Sequence, residues 1–142
     1  MLSNEEQVDN QTGDSIYGVT RSGRSRGSIN SRVVYDGDPT TVWTTDGSIV
    51  MEQAFVWVDL GSDQSIGEIR WLVSDAVVGV TMTIEVSSDR QTWQPVTSIS
   101  ELTPGEWQSH QANVSARYVR FTFANPVGAP VIGYLAEVQL TA

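Results

Sequence analysis

The chain has no cysteine and no lysine, and its only histidine is His110. Without cysteine there can be no disulfide, no thiolate metal site and no thiol nucleophile. All eight cations are arginines, set against 17 acids, for a formal charge of −9. Such a surface repels phosphate backbones and lacks the clustered basic residues that dock on anionic lipid, so no nucleic-acid partner is expected. The local exception is Arg21, Arg24, Arg26 and Arg32, which read on charge pattern alone as a solvated loop. No apolar run approaches the ~20 residues of a spanning helix. Met1 to Glu6 carry neither a basic start nor an apolar stretch, so they do not read as a signal peptide. Two settings fit, an intracellular protein or a portion of a larger exported one.

A length of 142 residues with 39% hydrophobic content suits one domain with a real core. Residues 1–14 are polar and aperiodic, the expectation for a tail or linker, and residues 15–142 form the domain. From Ser15 onward short apolar runs alternate with turn residues, and helical spacing is nowhere sustained. The clearest strand is Val80 to Ser88, where Val80, Met82, Ile84 and Val86 alternate with Thr81, Thr83, Glu85 and Ser87. Arg117 to Phe123 repeats the pattern, with Val119, Phe121 and Phe123 inward and Tyr118, Arg120 and Thr122 outward. Ile132, Tyr134, Ala136, Val138 and Leu140 form a stripe that sets Glu137 on the opposite side. Ala54 to Leu60 is apolar on both faces, and Ile66 to Val73 and Trp93 to Ile99 read as further strands. Asp36-Gly37-Asp38-Pro39, Asp46-Gly47, Ser88-Asp89, Pro104-Gly105 and Asn125-Pro126 punctuate them. The expected class is all-β, two packed antiparallel sheets or a barrel.

Asp36-Gly37-Asp38 places two carboxylates and several carbonyls in one tight turn, the hard oxygen setting that calcium prefers. Thr41 adds a hydroxyl. Calcium takes six to eight oxygens, so an acid from elsewhere has to complete such a site; the plain alternative is a solvated turn. Of the five tryptophans, Trp57 and Trp71 are expected in the core, Trp43 and Trp93 as plugs at the sandwich ends, and Trp107 is the least constrained. His110 lies in a polar stretch, no Gly-x-Ser-x-Gly elbow is present, and no acid sits in an apolar context that suggests a raised pKa; no enzyme is expected.

In order, Val34 to Trp43, Trp57 to Gly61, Ile84 to Trp93, Ala116 to Arg120 and Leu135 to Val138 resemble the discoidin family, also called the coagulation-factor type C domain, which includes the family 32 carbohydrate-binding modules. The likeness runs from about Ser15 to Leu140. It implies an antiparallel jelly-roll β-sandwich of the galactose-binding type, with loops at one end as the ligand face. It also implies a structural calcium held by the carboxylates of Asp36 and Glu137, the carbonyls of Val33, Asp38 and Ala136, and Thr41. Sugar-binding members use a histidine, an arginine and an aromatic from these loops. Here the loop after Trp43 has no histidine, and Ser74 to Gly79 has neither arginine nor aromatic. The candidate ligand residues are therefore Arg24, Arg26 and Arg32, with the loop acids Asp46 and Asp75. The resemblance implies a non-catalytic, extracellular or cell-surface module for carbohydrate within a larger multidomain protein. The alternative is a protein- or phospholipid-binding adhesion domain using the same loop face. For that use Ile49-Val50-Met51 and Val77-Val78 would be the apolar tips, whose simpler reading is as caps on the core.

Overall fold

The computed structural model describes residues 6–9, 19–25, 28–38, 40–45, 51–77, 79–129 and 133–142, with side chains for all of these except 6–9, 51 and 126–129. The strands are β1 (Glu6–Asp9), β2 (Arg21–Ser25), β3 (Trp43–Thr44), β4 (Met51–Leu72), β5 (Thr81–Ser87), β6 (Gln94–Ile99), β7 (Trp107–Ala129), β8 (Tyr134–Leu135) and β9 (Glu137–Thr141), with a 3₁₀ turn at Ser31–Tyr35. The main sheet runs β1-β2-β4-β7-β5-β6, β9 also pairs with β4, and β3 pairs with β8. Each of these pairings is antiparallel. The all-β sandwich expected from the alternation is the fold.

Two expectations change. Glu6–Asp9, placed by composition in a polar tail, pair with Ser22 to Ser25 of β2 as an edge strand. Edge pairing is made by backbone groups and needs no apolar side chains. Ala54 to Leu60 and Ile66 to Val73, read as two strands, belong to one bent strand. Up to Asp59, β4 pairs with β2 and with Tyr118 to Ala124 of β7. From Gln64 it pairs with Trp107 to Ala116 of β7 and, further on, with β9. The register breaks between Asp59 and Gln64, and Asn113 takes a left-handed φ of 50° in the facing part of β7. Both long strands thus serve both layers.

The core lies between the layers. Ala54, Val56, Val58, Ile69, Trp71, Met82, Ile84, Val119, Phe121, Phe123, Val138 and Leu140 meet there, the inward positions of alternating strands. Trp43, expected at an end of the sandwich, is fully buried against Phe123 with ring centroids 5.6 Å apart.

The far side of the larger layer is also covered. Trp57 is 0% exposed although it alternates with core residues and points away from them. Its ring lies over Gly23, where even a Cβ would clash with the indole. Arg90, itself at φ 63°, stands 4.6 Å above that ring. Tyr118 points outward as its alternation predicts, yet it is 5% exposed because Trp57 packs edge-on at 5.7 Å and Trp93 lies at 6.4 Å. Trp93, expected as an end plug, instead holds Arg120 at 4.1 Å on this outer face.

Asp59 closes the corner where β4 changes layer. Its side chain is 0% exposed and accepts from Arg21 Nε at 2.8 Å, Arg117 Nε at 2.8 Å and the Gly61 N–H at 2.7 Å. Burial alone would raise its carboxyl, but the Arg117, Arg21 and Gly61 hydrogen bonds outweigh it and hold the group below the usual aspartate range. Its stabilisation is therefore present above the unfolded value and is lost as pH falls through the lower folded one. Asp59→Asn should cost about 2–3 kcal/mol in urea unfolding at pH 7. That gap should narrow below about pH 4; a gap independent of pH down to 2 would show that the charge of Asp59 is not what matters.

Candidate functional site

The 3₁₀ turn delivers the Asp36 loop to its place. Asn30 caps it, accepting from the Arg32 N–H at 2.8 Å. Its buried Ser31 and Tyr35 hydroxyls lie 2.7 and 3.0 Å from Ser22 Oγ, fastening the turn to β2. The chain then turns at Asp36 and Gly37, with Gly37 at φ 79°, a conformation open to glycine without strain.

Inside the loop the two aspartates shape the backbone. Asp36 Oδ1 accepts from the Asp38 N–H at 2.9 Å, and Asp38 Oδ1 accepts from Thr40 N–H at 2.9 Å and Thr40 Oγ1 at 2.6 Å. Thr41 Oγ1 donates to Asp36 Oδ2 at 2.6 Å and lies 2.9 Å from the Asp38 carbonyl. The Thr40 hydroxyl and N–H hold the Asp38 carboxyl below its ordinary value.

Glu137 comes from β9, far along the chain from Asp36. On β9, Val138 and Leu140 enter the core, so Glu137 faces out, as its place in the stripe predicts. The 3₁₀ segment packs against β9, and Glu137 is only 4% exposed. Its Oε1 is buried with no hydrogen-bond partner. Burial, then the charge of Asp36 and a hydrogen bond with it, push the Glu137 carboxyl up to about 8. Two acids distant in sequence are thus pressed together, and one buried oxygen lacks a donor. A hard divalent cation answers both conditions. Of the expected set, Asp36, Asp38, Thr41 and Glu137 gather here. Val33 lies in the 3₁₀ turn leading to Asp36, and Ala136 precedes Glu137 with its N–H on Leu72 O at 2.8 Å. No cluster of three or more His, Cys, Asp or Glu that could hold a metal occurs among the described residues, so carbonyl and hydroxyl oxygens would have to supply the rest.

The candidate ligand residues are placed separately. Arg24, on β2, donates to the Ser28 carbonyl at 2.8 Å and so braces its own loop. Arg32 is half-buried on the 3₁₀ turn. Asp75 is exposed between β4 and β5, its Oδ1 accepting from the Ala76 N–H at 2.8 Å. Arg26 and Asp46 lie outside the described residues. Of the apolar tips, Val77 packs against the core, while Ile49, Val50 and Val78 lie outside the described residues and Met51 is described in its backbone alone. Trp107 and Arg70 received no role from sequence, yet they meet on the smaller layer, the guanidinium 4.9 Å from the ring centroid. Their pairing across β4 and β7 depends on a register that neither segment reveals alone.

The fold is an antiparallel sandwich with an acidic nest where the 3₁₀ segment meets β9. The chain belongs to the F5/F8 type C family: residues 33–121 match the family model described as NedA-like, galactose-binding domain. No curated protein matches it. Among solved structures it is similar to chitosan-binding module 1 from the chitosanase/glucanase of Paenibacillus sp. IK-5, with TM-score 0.70 and 20% identity over 93% of this chain and 100% of that one. The family 32 module of AlyQ in complex with 4,5-unsaturated mannuronic acid gives TM-score 0.70 and 20% identity, covering 88% of this chain and 96% of that one. A Clostridium perfringens module, CpGH89CBM32-5, in complex with GalNAc-β-1,3-galactose gives TM-score 0.67 and 18% identity over 97% and 94%.

A carboxyl raised in the folded state stabilises fully below its unfolded value, and the contribution is lost as pH rises through the folded one. In chelator, the melting temperature should therefore fall between pH 5 and 9 as Glu137 is forced to ionise near 8. Glu137→Gln should remove that fall. An equal fall in the variant would show that Glu137 is not its source.

Proposed function

We propose that this chain is a non-catalytic recognition module for carbohydrate on a polymer or cell surface, braced by one structural calcium. The family match over residues 33–121 carries the reading. Similarity over 88% and 97% of this chain to modules whose structures hold an unsaturated mannuronic acid and a GalNAc-galactose disaccharide supports it. The Paenibacillus module derives from a chitosanase/glucanase, and a module of this kind raises the local concentration of a linked partner at its polymer. An extracellular or cell-surface setting within a multidomain protein follows from that use.

Asp36 and Glu137 would hold the calcium, with Thr41 and the carbonyls of Val33, Asp38 and Ala136. The ion would neutralise two crowded carboxylates and pin the 3₁₀ segment to β9, a contribution to folding and not to chemistry. Arg24, Arg26, Arg32, Asp46 and Asp75 are the side chains proposed to meet sugar hydroxyls. The adhesion reading gains nothing from Val77, which faces the core.

An array of short glycans, probed with calcium and with chelator, tests the carbohydrate reading. The expected result is binding to one sugar class; a blank array overturns it. Calcium should raise the melting temperature of the wild type and leave Asp36→Asn unmoved. Equal rises in both would overturn the metal site.

A further inference from the structure

On the smaller layer the alternation that buries Ile69, Trp71, Val138 and Leu140 turns the intervening side chains outward. Register sets them in rows across β9, β4 and β7: Thr141, Glu68, Gln111; then Gln139, Arg70, Ser109; then Glu137, Leu72, Trp107. The last row ends on β9 at buried Glu137 and on β7 at Trp107. Trp107 is 37% exposed, whereas Trp43, Trp57 and Trp71 are at most 2% exposed. Its neighbours are already ordered. Arg70 stands over the ring at 4.9 Å while Nη1 donates to Gln139 Oε1 at 2.8 Å, and Gln111 Nε2 reaches Glu68 Oε2 at 3.5 Å. Past the Glu68 row the face opens into a recess of about 630 Å³, walled in part by Glu68, Gln111, Asn113, Ser115, Ser65 and Thr141.

We propose that this face is a second carbohydrate site, taking an extended neutral polysaccharide laid along β7 from Trp107 toward the recess. An exposed indole beside groups that donate and accept is what an amphipathic sugar ring requires: C–H faces stack on the aromatic, and hydroxyls pair with amides and hydroxyls. One cation and one anion, Arg70 and Glu68, stand among the nine residues of the rows beside buried Glu137, so the open strip balances and matches an uncharged chain. With only half-buried Leu72 beside Trp107, the apolar area is too small for a lipid or an apolar protein face. Trp107 and Gln111 are four residues apart on an extended strand, about 13 Å, room for more than one ring. The Arg70–Gln139 bond and the stacked guanidinium fix the platform beforehand, reducing the ordering cost of binding. None of its residues is among those proposed to meet sugar elsewhere, and it does not depend on the ligand proposed there.

Affinity electrophoresis of the whole chain through gels containing a mixed-linkage β-glucan, a xyloglucan, a galactomannan or amylose tests it. At least one should retard the wild type and blue-shift its tryptophan fluorescence. Trp107→Ala should weaken that affinity roughly tenfold or more, while its pattern on the short-glycan array stays unchanged. Ser109→Glu, at an exposed position, should weaken it equally at an unchanged melting temperature, which decides the matter if the tryptophan variant fails to fold. No retardation by any of the four, or retardation that survives Ser109→Glu in full, would overturn the second site whatever the array reports.

Discussion

Asp59 holds a charge at the point where the chain can least tolerate an unpaired one. β4 must leave one layer and enter the other there, and the turn exposes backbone groups that the ladder no longer pairs. The carboxylate takes the Gly61 N–H from within the turn, Arg21 from β2 and Arg117 from β7, while its own carbonyl accepts from the Thr20 N–H at 2.8 Å. Three strands and a corner are tied by one side chain. The two guanidiniums are about one-third exposed, so their charges remain partly solvated while the anion does not. The desolvation that makes buried ion pairs weak falls mainly on Asp59, which has three donors to offset it.

The same corner begins a layer of arginine over aromatic rings. Arg21 lies 5.8 Å from the Trp57 ring and Arg117 5.1 Å from Tyr118, while Arg120 sits over Trp93 and donates to Glu85 at 2.9 Å. A planar, weakly hydrated guanidinium can stack on a ring and still donate in plane; an ammonium cannot do both. A chain without lysine is consistent with cations used in this way. It also accounts for a strand apolar on both faces in a two-layer protein, since the second face of β4 is covered by side chains and not by a third sheet.

How much was legible follows from what alternation reports. Period two shows which side of a strand a residue takes, and it placed Met82, Ile84, Val119, Phe121 and Glu137 correctly. It is silent on whether that side is covered, which is why Tyr118 read as outward yet lies buried, and why Glu137 did not read as sunk beneath another segment. Gly61-Ser62-Asp63 has the composition of a turn between strands; a bend within one strand uses the same residues, and only the partners on β7 and β9 tell the two apart. β1 left no trace because Glu6-Gln7-Val8-Asp9 shows no apolar alternation, and antiparallel backbone pairing needs none. The acidic turn at Asp36 was legible as a possible oxygen site. Its completion by Glu137 came through family resemblance, since a contact across 101 positions leaves no local mark.

Among the described residues two acids are buried, Asp59 and Glu137, and the fold treats them in opposite ways. Asp59 receives two arginines and a backbone N–H, and its carboxyl is held low. On Glu137 burial and the charges of Asp36 and Asp38 outweigh the Gly37 N–H, and its carboxyl is driven high. Four of the eight arginines are stacked over aromatic rings on one face, whereas Glu137 Oε1 is buried without a hydrogen-bond partner. A proton relieves that strain only by giving up the anion. A cation from solution would relieve it while keeping both carboxylates charged and drawing the 3₁₀ segment and β9 together. The crowding of Asp36 and Glu137 about an oxygen without a donor, beside the full provision of donors at Asp59, is the physical ground for the proposal that this pair holds a metal.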